Sequence, residues 1–188
     1  MQERALLPPF VKEKIQENID IDALFTTIFE TFYKRIFNYI AYRVSSRHTA
    51  EDLTSLVFEK TLAKLATYAQ EKAPLEVWLF AIARNVVNDH YRSLKRRSFF
   101  SLDAVMELVS TRKEPESLIL QGERNDKLNE ALNTLNSRER NIVALKFGAN
   151  LRNTEIAQLT GISEGNIGVI LYRTMKKLKI EIGSVEQL

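Results

Sequence analysis

Apolar residues in this chain recur at three- and four-residue spacing almost throughout, and no stretch alternates apolar and polar residues over several positions. A helix repeats every 3.6 residues and a strand every two, so this pattern predicts an all-α fold. Only six Gly and four Pro interrupt 188 residues, too few for the turns of a β-rich domain. One long helix is expected over 22–44 through Phe25, Ile28, Phe29, Phe32, Ile36 and Ile40. A second begins at "TAED", with Thr49 as its cap and Asp52 three residues on, and runs to about Tyr68. The segment "ATYAQEKAP" breaks the pattern, and Pro74 suits the first turn of a third helix that starts at Leu75. The stretch "SFFSLDAVMELVSTRKEPES", with Pro115 inside it, reads as a linker. Beyond it, a helix is expected over 123–135, and another follows, capped by Ser137 and ended by Gly148.

Residues 154–179, "TEIAQLTGISEGNIGVILYRTMKKLK", constrain the last two helices further. Ala157 is small where helices approach, Gly161 suits a left-handed turn, Ile162 plugs the corner, and Ser163 caps the second helix. This ordered set is a helix-turn-helix signal, with an ordinary helical hairpin as the alternative. On a helical wheel Ile167, Ile170, Leu171, Thr174 and Leu178 share the core side. Gly165, Val169, Tyr172, Arg173, Lys176 and Lys179 lie opposite. Small residues let a helix sit deep in a major groove. Val169 suits a thymine methyl, Asn166 an adenine edge, Arg173 a guanine edge, and Lys176 and Lys177 the backbone.

The third helix, "PLEVWLFAIARNVVNDHYRSLKRR", shows a second pattern. Leu75, Leu79, Ile82 and Val86 form one face. Val77, Phe80, Ala81, Arg84, Asn88, Tyr91 and Arg92 form the other. Rings among cations suit single-stranded nucleic acid, whose bases stack while phosphates pair. The alternative is that Phe80 and Tyr91 pack against a neighbouring helix. Basic residues cluster at the end of this helix (Lys95, Arg96, Arg97) and again over 173–179, so each module closes on a cationic run although net charge is only +3.

Other classes are disfavoured. The absence of cysteine excludes disulfides, thiolate metal sites and cysteine catalysis, and fits a reducing cytoplasm. His48 and His90 are isolated, so no catalytic residue, metal ligand or cofactor is assigned. No uncharged run reaches membrane-spanning length, and "MQERALLPPF" has no signal-peptide core. The competing binding class is an autonomous helix-turn-helix regulator with a helical N-terminal sensor or dimerisation domain, which needs a symmetric site.

The order "AEDLTSLVFEKTLAKL", "PLEVWLFAIARNVVNDHYRSLKRR", a linker, "LNSRERNIVALKF" and "TEIAQLTGISEGNIGVILYRTMKKL" resembles a bacterial RNA polymerase sigma factor of the extracytoplasmic-function (ECF) group. The resemblance implies two small helical domains joined by a linker: an N-terminal extension at 1–21, a region 2 helical bundle at 22–97, a linker at 98–123 that passes near the active cleft, a region 4 helix-turn-helix at 124–183, and a tail at 184–188. It implies a cytoplasmic, non-catalytic protein without membrane insertion. Its partners would be the clamp helices and flap of core polymerase, promoter DNA in duplex and single-stranded form, and an anti-sigma factor. Clamp binding would fall to Asp52, Ser55, Phe58, Glu59 and Leu62. Leu53 and Val57 lie apart from Phe58, Leu62 and Leu65 on that helix, more apolar surface than one core needs. Minus-ten binding would fall to Tyr68 in the base-capturing loop and to Phe80, Arg84, Asn85, Asn88, Asp89, Tyr91, Arg92, Lys95, Arg96 and Arg97. Minus-thirty-five binding would fall to Thr154, Ser163, Glu164, Asn166, Val169, Tyr172, Arg173, Lys176 and Lys177. Trp78 matches a structural aromatic. The chain departs from many relatives in carrying Gly168 and Val169 in place of a basic residue and a serine, and Ser55 in place of a glutamine.

Overall fold

The computed structural model describes residues 21–100 and 128–185, with side chains of 98–100 and 184–185 outside the description. The expected extension, most of the linker, the start of the 123–135 helix and the end of the tail therefore lie outside the described residues. Every regular element described is helical.

Helix α1 (Ile21–Arg43) carries two stripes. Leu24, Ile28, Phe32, Ile36, Tyr39, Ile40 and Arg43 are buried along one side. Phe25, Phe29, Tyr33 and Phe37 follow one another at four-residue spacing along a second, with successive ring centroids 5.1–6.5 Å apart. Helix α2 (Arg47–Leu65) begins earlier than expected. Ser46, not Thr49, is its N-cap: the Ser46 backbone is extended and its hydroxyl accepts from the Thr49 amide at 3.3 Å. Asp52 is thus already inside the helix, 3.8 Å from His48. The helix also ends short of Tyr68, at Leu65.

Helix α3 (Leu75–Phe100) packs against α1 and α2. Its Leu75, Leu79, Ile82 and Val86 are buried, but so are Val77, Phe80, Ala83 and Val87. The helix is buried on two sides: Phe80, on the face expected to be outward, packs on Tyr39 of α1, and Arg84 of the same face reaches an element of the second module.

The C-terminal module opens with α4, helical over 128–133. Helix α5 (Ser137–Val143) is capped by Asn136 rather than Ser137. Asn136 Oδ1 accepts from the amides of Arg138 and Glu139, and the Glu139 carboxylate returns to the Asn136 amide at 3.0 Å. This reciprocal box satisfies more free amides than a serine one position later would. Helix α5 runs on into a π-helical turn, Ala144–Gly148, in which the Ala149 amide reaches back to the Ala144 carbonyl at 2.9 Å. Helix α6 (Asn153–Thr160) ends at Gly161, whose φ of 73° is the left-handed turn that glycine adopts without cost. Helix α7 (Glu164–Val185) completes the fold.

The two modules do not stand apart. Core residues from α1, α2 and α3 form one continuous cluster with Ile142, Leu145, Leu151, Ile156, Leu159 and Ile167 of the second module. A smaller cluster of Ala131, Leu132, Leu135, Val143 and Leu178 sits beneath α4 and α7.

Candidate nucleic-acid interfaces

On α7 the core side and the outward side fall as periodicity predicts, except that Ile170, expected in the core, is only half-buried. Ile167, Leu171, Thr174 and Leu178 are buried. Val169 is 46% and Tyr172 74% exposed, and Asn166, Arg173 and Lys176 are exposed beside them. Thr154, Ser163 and Glu164 are also exposed, at the near ends of α6 and α7. Asn166, Ile170 and Arg173 line a crevice of about 280 Å³ whose far wall is Asn136, Arg138 and Glu139. A side chain added at Gly165 or Gly168 would meet nothing within 4 Å. Each glycine inside a helix costs about 1 kcal/mol relative to alanine. Nothing among the described residues requires them, so the bare surface they leave is available to something outside this fold.

One residue of this set departs from its expected role. Lys177 is turned inward: its ammonium donates to the Thr134 carbonyl at 2.6 Å and lies 3.9 Å from the Glu139 carboxylate. It ties α7 to the α4–α5 corner, whereas Lys176 points outward.

Helix α3 divides its candidates into two rows. Asn85, Asp89, Arg92 and Arg96 follow at helical spacing and are exposed, flanked by Lys95 and Arg97. Arg92 pairs with Asp89 at 2.9 Å, a surface contact of small energetic weight. The other row faces the protein. Phe80 is 0% exposed and packs edge-on against Tyr39 with centroids 5.9 Å apart. The expectation that Phe80 stacks on bases is corrected: no outward ring exists at this position. The Arg84 guanidinium donates to the Leu159 carbonyl of α6, while its Nε is buried without a partner. Asn88 accepts from Arg43 at 3.4 Å. The Tyr91 hydroxyl donates to the Arg43 carbonyl, leaving its ring 40% exposed. Tyr68, in the loop before α3, packs against Trp78 with the rings tilted by 46° and centroids 5.0 Å apart, and donates to the Ala73 carbonyl at 3.0 Å. Burial raises the Tyr68 phenol above its ordinary pKa, with Glu71 adding to it.

On α2, Asp52, Ser55, Glu59 and Leu62 form one exposed stripe, with Leu62 44% open. Phe58 does not belong to it. It is only 4% exposed and sits under Phe29, 4.7 Å away, and Tyr33. Leu53, Val57, Phe58 and Leu65 are all buried, so the apolar excess read along α2 is absorbed by the aromatic stripe of α1. What remains open is the outer edge of that cluster, Phe29 and Tyr33, each 40% exposed. The four-residue spacing of Phe25, Phe29, Tyr33 and Phe37 was the sequence signal for this patch.

Sigma-70 region 2 matches residues 28–97, and Sigma-70, region 4 matches residues 125–178. The chain belongs to the ECF group of sigma-70 factors. It is 31% identical over 154 residues to ECF RNA polymerase sigma factor BldN of Streptomyces coelicolor, a match covering 82% of this chain and 58% of that relative. It is 26% identical over 159 residues to ECF RNA polymerase sigma factor SigD of Mycobacterium tuberculosis, covering 82% and 75%. The fold is similar to that of RpoE from Bartonella quintana, solved with the anti-sigma factor NepR, at TM-score 0.67 and 24% identity over 85% of this chain and 96% of that one. It is also similar to CnrH, solved with the cytosolic domain of CnrY, at TM-score 0.67 and 15% identity over 94% and 96%. Among the described residues no cluster of His, Asp or Glu is arranged to hold a metal ion, and no helix is long and apolar enough to cross a membrane.

Proposed function

We propose that this ECF sigma factor binds core RNA polymerase in the cytoplasm and directs it to promoters by capturing minus-ten bases with its first module and the minus-thirty-five duplex with its second. The observation that carries this reading is the outward face of α7, a helix that gives up two positions to glycine with no need for them among the described residues. A bare N-terminal turn followed by Tyr172, Arg173 and Lys176 suits a major groove entered closely and read late in the helix.

The exposed row Asn85, Asp89, Arg92 and Arg96, with Lys95 and Arg97, suits a single strand tracked through its phosphates. The Tyr68 loop precedes it, where a flipped base would be held. Capturing bases there offsets unstacking, which costs a few kcal/mol per step. Arg84 lies behind that row, held by the Leu159 carbonyl of the second module, and joins it only if the modules separate, whereas Asn88 and Tyr91 are tied to Arg43 of α1. The stripe Asp52, Ser55, Glu59 and Leu62, beside open Phe29 and Tyr33, is the polymerase-binding surface. The chain performs no catalysis in this scheme. RpoE of Bartonella quintana was solved with an anti-sigma factor, which supports one for this chain too.

Run-off transcription with purified core polymerase tests the reading. Initiation at defined promoters on adding this chain is the expected result. Tight binding to a duplex operator without polymerase, and no co-purification with core, would establish an autonomous regulator instead.

A further inference from the structure

The crevice between α5 and α7 has two walls that are held in different ways. Asn136, Arg138 and Glu139 form one, and Asn166, Ile170 and Arg173 form the other. The first wall stands on a braced corner. Asn136 Oδ1 accepts from the Arg138 and Glu139 amides, and Glu139 Oε2 closes the box on the Asn136 amide. Just before it, the Thr134 amide and hydroxyl both donate to the Ala131 carbonyl, at 3.2 and 2.8 Å. Arg140 donates to Asn133 Oδ1 at 2.7 Å. These directional bonds fix the shape of the corner.

The second wall belongs to the first half of α7, where little packs. Gly165 and Gly168 carry no side chain, Ile170 is half-buried, and Ile167 is the buried residue of these turns. Thr174 faces the core, but its buried hydroxyl has no hydrogen-bond partner among the described residues, so it does not orient the helix either. Apolar burial is non-directional: it sets how deep a helix lies and resists rolling about its axis poorly. A roll of about 10° carries a side-chain tip through roughly 1 Å at the rim of a helix about 12 Å across. A hydrogen bond from Arg173 to a base edge, with a useful range of about 2.7–3.2 Å, does not survive that error. Among the described residues Arg173 has no hydrogen-bond or ion-pair partner, so the helix that carries it sets its direction.

Lys177, one helical turn beyond Arg173, resists the roll. Its ammonium donates to the Thr134 carbonyl at 2.6 Å, at the end of α4 where free carbonyls concentrate negative charge. It also lies 3.9 Å from Glu139 Oε2, the oxygen already held by the Asn136 amide. One carboxylate therefore closes the cap of α5 and attracts the cation that tethers α7. It cannot follow a rolling helix without leaving the cap.

We propose that Glu139 is a positioning residue for upstream-element reading: through Lys177 it fixes the roll of α7 against the α4–α5 corner, so that Arg173 meets a base edge in register. The role in reading rests on the sigma-factor function; the anchor does not.

Glutamine also serves at the third position of a capping box, so Glu139→Gln keeps the cap and loses the charge. The full-length variant, in holoenzyme, is measured over a panel of upstream elements at two salt concentrations. Preference for the best element should fall about fivefold, the lower end of what one base contact is worth. The salt dependence should match the parent, since no phosphate contact is lost. In an Arg173→Ala background, Glu139→Gln should lower the preference no further. A folded Glu139→Gln protein with parental preference would overturn the proposal. So would an equal loss with and without Arg173, which marks general weakening of the module. The anchor is tested in the free chain by thermal melts of Glu139→Gln, Lys177→Gln and the double variant. Coupled losses are expected, and additive losses would overturn the anchor. Coupled melts with no upstream preference in the parent holoenzyme would sink the sigma-factor reading and the positioning role together, while leaving the anchor standing.

Discussion

Helices α3 and α7 carry the same kind of sequence pattern, a leucine-isoleucine face opposite rings and cations, yet the fold treats them differently. Helix α7 leans on one surface, so its wheel divides cleanly into core and outside. Helix α3 lies among α1, α2 and α6, so its second face divides again: Asn85, Asp89, Arg92 and Arg96 remain outside, while Phe80, Arg84 and Tyr91 turn to the protein. An amphipathic pattern reports which residues one core takes. It does not report a second neighbour arriving from 70 or more residues downstream, as Leu159 does at Arg84.

The largest effect that separates the two helices belongs to Phe80. Phe80→Ala should cost about 3–5 kcal/mol of stability in chemical denaturation, because it empties a buried site against Tyr39. A loss under about 1 kcal/mol, coupled to weaker single-strand binding, would return this ring to the outward row. On α7 the opposite is expected. Val169→Trp should leave stability within about 0.5 kcal/mol and block upstream-element binding by holoenzyme, since the position is open. Arg173→Ala should weaken the preferred upstream element by about 1–3 kcal/mol and relax sequence preference across a promoter panel. If Val169→Trp matched wild type in that panel, α7 would be a packing helix like the inner side of α3.

Lys176 and Lys177 sharpen the comparison within α7 itself. Lys177→Ala should lower thermal stability by a few degrees, through loss of its bond to Thr134, and leave the salt dependence of promoter binding alone. Lys176→Ala should leave melting unchanged and reduce the salt slope by about one. The smallest effect is expected for Asp89→Asn. It removes only an exposed ion pair with Arg92, so stability should shift by less than about 1 kcal/mol in thermal melts.

Local physics made the helices, the Gly161 turn and the α7 faces legible, because each depends on residues within a turn or two. The caps were displaced for a related reason. Ser46 and Thr49, or Asn136 and Ser137, are all competent acceptors, and the path by which the chain enters the helix decides between them. Phe58 was read as available because the excess apolar surface of α2 was visible but the aromatic stripe of α1 that consumes it lies some 30 residues earlier. The open edge at Phe29 and Tyr33 follows from the same contact. The contact between the modules was not legible at all: the Tyr39 hydroxyl donates to Asn141 Oδ1 across 102 residues of sequence, and nothing local marks either as a partner of the other.

The π-helical turn at Ala144–Gly148 sets the phase of everything after it. Its carbonyls are reached from five and six residues on, by Ala149 and Leu151, where an α-helix would be reached from four. The turn thus holds one residue more than a regular helix. Each residue of an α-helix advances the next by about 100°. Deleting a single residue here would let the helix run regularly but would rotate its end by roughly that angle, carrying Gly148, whose backbone lies against Asn38 and Tyr39, off α1 and re-aiming α6 and α7 together. The direction in which the second module faces is therefore written as a count of residues, so that chain length at this turn, more than the chemistry of any one side chain, fixes where the reading helix points.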